Sequence, residues 1–153
     1  MLGSGDQAPR FALQDLNGQA HALAEMLANG PVLVVLYKVS CPVCQLALPY
    51  LQRISGGGLQ IVTISQDDAS DTAKFMSKFR VDMLTLLDTK KSGYAVSNAF
   101  GITNVPSLFL VEPDGAVSYA GSGFDKAALE ALGTRAGCVI FTDADNVPAW
   151  KAG

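Results

Sequence analysis

Pro31-Val-Leu-Val-Val-Leu-Tyr37, followed after Lys38 and Val39 by Ser40-Cys41-Pro42-Val43-Cys44 and the segment Gln45 to Ile54, decides the fold. Its first part is a short, continuous apolar run rich in β-branched residues, as expected of a strand buried on both faces of a parallel or mixed sheet. In its last part Val43, Leu46, Ala47, Tyr50, Leu51 and Ile54 fall at helical spacing, so one stripe of a helix of roughly three turns faces a core. The two cysteines therefore sit where a strand becomes a helix. Pro42 suits the first helical turn, where its missing N–H costs nothing, and Ser40 or Cys41 can supply the cap.

That placement has a chemical consequence. Free backbone N–H groups and the helix dipole favour an anion at the helix start, and hence the attacking thiolate at Cys41. Cys44, one turn further in, is placed to attack the mixed disulfide that Cys41 forms, which closes an intramolecular disulfide and releases reduced substrate. Two structural thiols, or half of a zinc site, are the competing explanations. Zinc wants four ligands, and the chain adds only Cys138 and His21, neither in a paired spacing. The expectation is a redox pair, catalytic at Cys41 and Cys44, with no metal and no organic cofactor.

The length of 153 residues suits one domain with an ordinary core. With 49% of residues apolar and 16% charged, the chain reads as globular and not disordered. A net charge of −3 without a lysine or arginine cluster leaves no electrostatic footprint for nucleic acid. The apolar runs fall far short of the ~20 residues that span a bilayer. Met1 to Asp6 has neither a basic nor an apolar leader region, so the expected location is cytoplasmic as written, or periplasmic if a leader has been removed. Three cysteines are too few for a disulfide-stapled secreted fold.

Along the chain, Phe11 to Leu13 and Gln19 to Leu23 flank Asn17-Gly18 and read as a hairpin. His21 lies on its return strand and receives no role. Leu23 to Ala28 is a short helix closed by Asn29-Gly30. Pro49 should kink the cysteine helix by deleting one hydrogen bond. Leu59 to Ser65 is the next strand, which makes a parallel βαβ unit with the first. A second helix shows the stripe Ala69, Thr72, Ala73, Met76 and Phe79, with Asp67, Asp68 and Asp71 at its start. Leu84 to Asp88 is a short apolar segment, and Ser92 to Phe100 a helix closed by Gly101. Ser107 to Glu112 and Ala116 to Ala120 pair around Pro113-Asp114-Gly115. A last helix on Phe124, Ala127, Ala128, Ala131 and Leu132 is expected to be capped at Gly133. The extension 134–153 carries a strand-like Cys138-Val-Ile-Phe141, Pro148 and Trp150, with Cys138 read as a core thiol.

This order of elements around a Cys-x-x-Cys pair resembles the thioredoxin-like superfamily, in particular the TlpA/ResA-like thiol-disulfide oxidoreductases near the AhpC/TSA, or peroxiredoxin-like, group. Gly5 to Phe11, Asp15 to Gly18, Cys41 to Cys44, Pro49, Asn104 to Ser107 and Glu112 to Gly115 carry the resemblance, which covers about residues 5–133. It implies an α/β fold in a single domain 1–153, with a central mixed sheet of four or five strands, helices on both faces and an N-terminal β-hairpin. It also implies a cis Val105-Pro106 bond that faces the active-site disulfide and shapes substrate docking. A proline opening a central strand donates no N–H, so the backbone before it stays open to an extended substrate. The implied partners are a disulfide-containing protein and a thiol reductant or oxidant, with the chain working as a monomer.

The chain departs from the family pattern at several positions. Ser40 stands where thioredoxin-like sites usually carry tryptophan, and Val35 where thioredoxin has a buried acid. Lys38 could favour the Cys41 thiolate or snorkel from the strand end. Peroxiredoxin-like peroxide reduction is the enzymatic alternative. It uses Thr-x-x-Cys, here replaced at the threonine by Cys41, and an arginine that Thr103 to Ser107 lacks. A metal-binding or redox-silent domain is the second alternative, but the copper relatives use Cys-x-x-x-Cys and a downstream histidine, whereas His21 lies upstream.

Overall fold

The computed structural model describes residues 1–153. In chain order it contains β1 (Ala12–Gln14), β2 (Ala20–Ala22), α1 (Leu23–Leu27), β3 (Val32–Tyr37), α2 (Pro42–Ile54), β4 (Gln60–Ser65) and α3 (Ala69–Phe79). There follow β5 (Leu84–Leu87), α4 (Ala95–Ala99), β6 (Ser107–Val111), β7 (Val117–Ser122), β8 (Phe124–Asp125), α5 (Lys126–Ala136) and β9 (Trp150–Lys151). The main sheet has five strands in the order β5-β4-β3-β6-β7. Strands β3, β4 and β5 are parallel, and β6 and β7 are added antiparallel. β1 and β2 form the expected hairpin.

Strand β3 holds the centre because both of its faces are needed. Leu33, Val35 and Tyr37 point into a core of 21 residues shared with α2, α3 and α5, while Val32, Val34 and Leu36 enter a second core of 13 residues with Phe11, Leu23, Val96 and Phe100. A continuous apolar run is what such a strand requires. Helix α2 buries Val43, Cys44, Ala47, Leu48, Leu51 and Ile54 and continues through Pro49. In α3 the buried face is Thr72 and Phe75, and not Ala73, which is exposed.

Two expectations for the last third are corrected. Helix α5 does not stop at Gly133 and does not contain Phe124, which lies in β8. It runs to Ala136 and is capped by Gly137 in the left-handed region, φ 78°. Gly133 is a glycine for a different reason: a Cβ there would press on the Cys138 carbonyl oxygen at 3.0 Å and on Ile140 at 3.2 Å. The chain folds back over that bare position. Cys138 to Phe141 forms no strand; Ile140 and Phe141 are buried against the α2 side of the core, and the Ile140 carbonyl accepts from Arg53 at 2.7 Å instead of from a ladder. Arg53 also grips Asp145 at 2.7 and 3.1 Å, which ties this segment to α2.

Candidate active site

The site is built where β3 ends and α2 begins. Cys41 is the N-cap of α2, with Pro42 at its first position; the Cys41 sulfur accepts from the Cys44 N–H at 3.4 Å. Ser40, the other candidate cap, is exposed and does not serve as one. Cys41 is half-buried, and its thiol donates to the Val105 carbonyl oxygen at 3.4 Å. The Val105-Pro106 bond is cis. Cys44 is fully buried. Neither sulfur is disulfide-bonded.

The two sulfurs thus sit in unlike surroundings. Burial pushes the Cys44 thiol well above its ordinary value of 9.0, against a smaller opposing contribution from the Lys38 backbone; the neighbouring Cys41 and Asp67 add to the rise. Cys44 is the enclosed sulfur of the pair and Cys41 the accessible one. Burial likewise raises the Tyr37 phenol above its ordinary 10.0. The Ser65 hydroxyl, which would ease that rise, is engaged with Thr72 at 2.7 Å, and the Tyr37 hydroxyl is left without a partner.

A pH dependence follows from these directions. Folding holds protons on Cys44 and Tyr37 at pH values where the unfolded chain has begun to lose them, so stability from these groups is complete below the unfolded Cys value of 9.0 and is lost as pH rises beyond it. Urea denaturation of the dithiol form from pH ~7 to ~10.5 is expected to show falling stability on the alkaline side, with a shallower fall in Cys44→Ala. A slope identical in the two proteins would contradict the assignment.

Val35 is fully buried in the same core as Cys44 and offers it no acid. Lys38 is half-buried and lines a cleft of about 180 Å³ with Gln66, Ile102, Thr103, Asn104 and Val105. Two residues that sequence reasoning missed hold the turn in front of the cysteines. Asp67 accepts from the Val39 N–H at 2.8 Å, and the Gln45 side chain donates to the Val39 carbonyl at 3.0 Å. In the sequence Asp67 reads as part of the acidic start of α3, and no spacing links it to Val39.

Cys138 is half-buried, its sulfur 3.9 Å from the Ile54 carbonyl oxygen at the far end of α2. A helix of this length puts it about 20 Å from the Cys41 end, too far to resolve a bond to Cys41 in this fold. His21 pairs with Asp15 at 2.8 Å on the hairpin. No three histidine, cysteine or acidic residues converge as a metal site, and no helix is long and apolar enough to cross a membrane.

A five-stranded mixed sheet, helices on both faces and a strand-to-helix Cys-x-x-Cys beside a cis-proline peptide define a thioredoxin-like protein. The AhpC/TSA family model matches residues 4–120, and the chain belongs to the AhpC/TSA family. It is 26% identical over 121 residues to thiol-disulfide oxidoreductase ResA of Bacillus subtilis strain 168, a match covering 76% of this chain and 65% of ResA. The thioredoxin domain of thiol-disulfide oxidoreductase BVU-2223 from Bacteroides vulgatus superposes with TM-score 0.77 at 22% identity, over 89% of this chain and 99% of that one. Peroxidoxin BcpB from Mycobacterium tuberculosis superposes with TM-score 0.72 at 23% identity, over 89% and 94%. Neighbours of both kinds share the fold, so the chemistry has to be argued from the site.

Proposed function

We propose that the chain is a thiol-disulfide oxidoreductase that exchanges disulfides of protein substrates through Cys41 and Cys44. The observation that carries the reading is the asymmetry of the pair: a half-buried Cys41 at the helix cap against the Val105 carbonyl, and a fully buried Cys44 one turn behind it. The similarity to ResA supports the same activity.

In the reducing direction the Cys41 thiolate attacks one sulfur of the substrate disulfide. That S–S bond breaks, a new one forms to Cys41, and the departing sulfur takes a proton from solvent. Cys44 then attacks the Cys41 sulfur. The mixed disulfide breaks, and the proton lost by Cys44 balances the one gained by the second substrate sulfur. Two electrons and two protons pass from the dithiol to the substrate, and a thiol partner restores the pair. The oxidising direction is the same sequence reversed, and the reduction potential decides between them.

The residues around the site favour this over peroxide reduction. The cleft beside Val105 carries Lys38 but no arginine. Arg53 and Arg135 are committed to Asp145 and Glu112, and neither Arg10 nor Arg80 lines that cleft. With dithiothreitol as reductant, the protein is expected to reduce insulin disulfides catalytically and to consume hydrogen peroxide no faster than a free thiol of similar exposure. Catalytic peroxide turnover that survives Cys41→Ser and disappears in Cys44→Ser would overturn the reading in favour of a peroxidase.

A further inference from the structure

The Val105 carbonyl is closely approached by two groups. Cys41 reaches it from α2 at 3.4 Å. Gly153 is the second: a Cβ on that residue would overlap the Val105 carbonyl oxygen, and would lie 3.3 Å from the Asn104 side-chain nitrogen. A short antiparallel strand brings Gly153 there. β9 pairs with β8 in the register Phe124 with Lys151 and Asp125 with Trp150, and the Lys126 N–H bonds the Ala149 carbonyl at 2.9 Å. β8 is fixed beside the cis peptide, because the Gly123 N–H donates to the Pro106 carbonyl at 2.9 Å. Gly123 is itself a close approach, since a Cβ there would overlap the Lys151 carbonyl oxygen.

We propose that residues 150–153 form a strap lying in the position of an extended substrate peptide beside Val105-Pro106, so that the protein carries an intramolecular competitor of its own substrate. This rests on the thiol-disulfide exchange proposed above. The Val105 carbonyl lies 3.4 Å from the Cys41 sulfur, so an extended peptide that brings a disulfide to Cys41 can pair with the backbone there, and backbone pairing at a strand edge is a general mode of peptide capture. Gly153 stands on that backbone now.

The strap is built to be displaced. Its ladder is two residues long, Trp150 is 61% exposed, and Lys151, Ala152 and Gly153 are exposed as well. The anchoring lies upstream, where Val147 packs against the core and Asp145 is held by Arg53. Residues 150–153 can therefore lift while the preceding segment stays docked. A chain whose competent state is only partly populated shows affinity reduced by that fraction, which a substrate must overcome and which a partner binding the strap could relieve.

The test uses the full chain with Gly153→Val, whose side chain cannot share space with the Val105 carbonyl, and separately Lys151→Pro, which removes a ladder N–H. Insulin reduction is read beside reduction of hydroxyethyl disulfide, which is too small to need the docking edge. Both variants are expected to reduce insulin about fivefold faster or more than the parent, with the small disulfide unchanged. A synthetic peptide of residues 147–153 is expected to slow Gly153→Val on insulin and to leave the parent unaffected. Insulin rates in both variants within about twofold of the parent, with the small disulfide still turned over, would overturn the strap alone. Failure of the parent itself to exchange with hydroxyethyl disulfide would instead strike the underlying redox reading.

Discussion

Cys41→Ser is expected to abolish disulfide exchange, with a loss of about a thousandfold or more, or ~4 kcal/mol of transition-state stabilisation. A hydroxyl at the α2 cap could still accept from the Cys44 N–H, so the helix start is kept while the nucleophile is lost. Cys44→Ser is expected to stop the reaction one step later. The substrate is attacked and one sulfur leaves, but nothing resolves the mixed disulfide, which accumulates on Cys41 and is seen by mass spectrometry under non-reducing conditions. The two variants thus fail differently although both lack turnover. Loss of both activities without a trapped species in Cys44→Ser would show that the roles of the two sulfurs are misassigned.

Phe124→Ala is expected to cost about 3–5 kcal/mol of stability. Phe124 is fully buried. It meets Tyr50 on α2 edge-on at 6.1 Å and Phe141 at 6.0 Å, so one ring joins the cysteine helix, the short edge strand and the segment that folds back over α5. Its removal leaves a cavity that three separate elements line, and none of them can collapse into it without losing contacts to the others. The urea midpoint is expected to fall with little change in slope. A cost below about 1 kcal/mol would show that the fold-back segment is not packed as described.

The parts of the fold that the sequence exposes are those governed by local pattern. The β-branched run of β3 can be read because both of its faces are buried, and the Asn17-Gly18 turn because few other residues accept its geometry. The cysteine pair can be read because the chemistry depends on spacing within one helical turn. What escapes is what depends on packing at a distance. Gly133 and Gly137 look equally suited to end α5, and only the return of Cys138 and Ile140 over the bare Cα of Gly133 distinguishes them. Cys138 to Phe141 has a strand's composition, yet its side chains are used to close the core and its backbone finds Arg53. Phe124 fits a helical stripe as written and proves to be the anchor of β8. Asp67 and Gln45 meet only through Val39, a contact set by the parallel register of β3 and β4.

We propose Cys41 and Cys44 as one reversible dithiol–disulfide couple. Equilibrating the protein across a series of glutathione and dithiothreitol poises, then counting free thiols after acid quench, tests it most directly. The expected result is a single two-electron transition that removes two thiols at once, leaves Cys138 free, and vanishes in either single cysteine variant. A pair that remains reduced at every accessible poise would contradict the account.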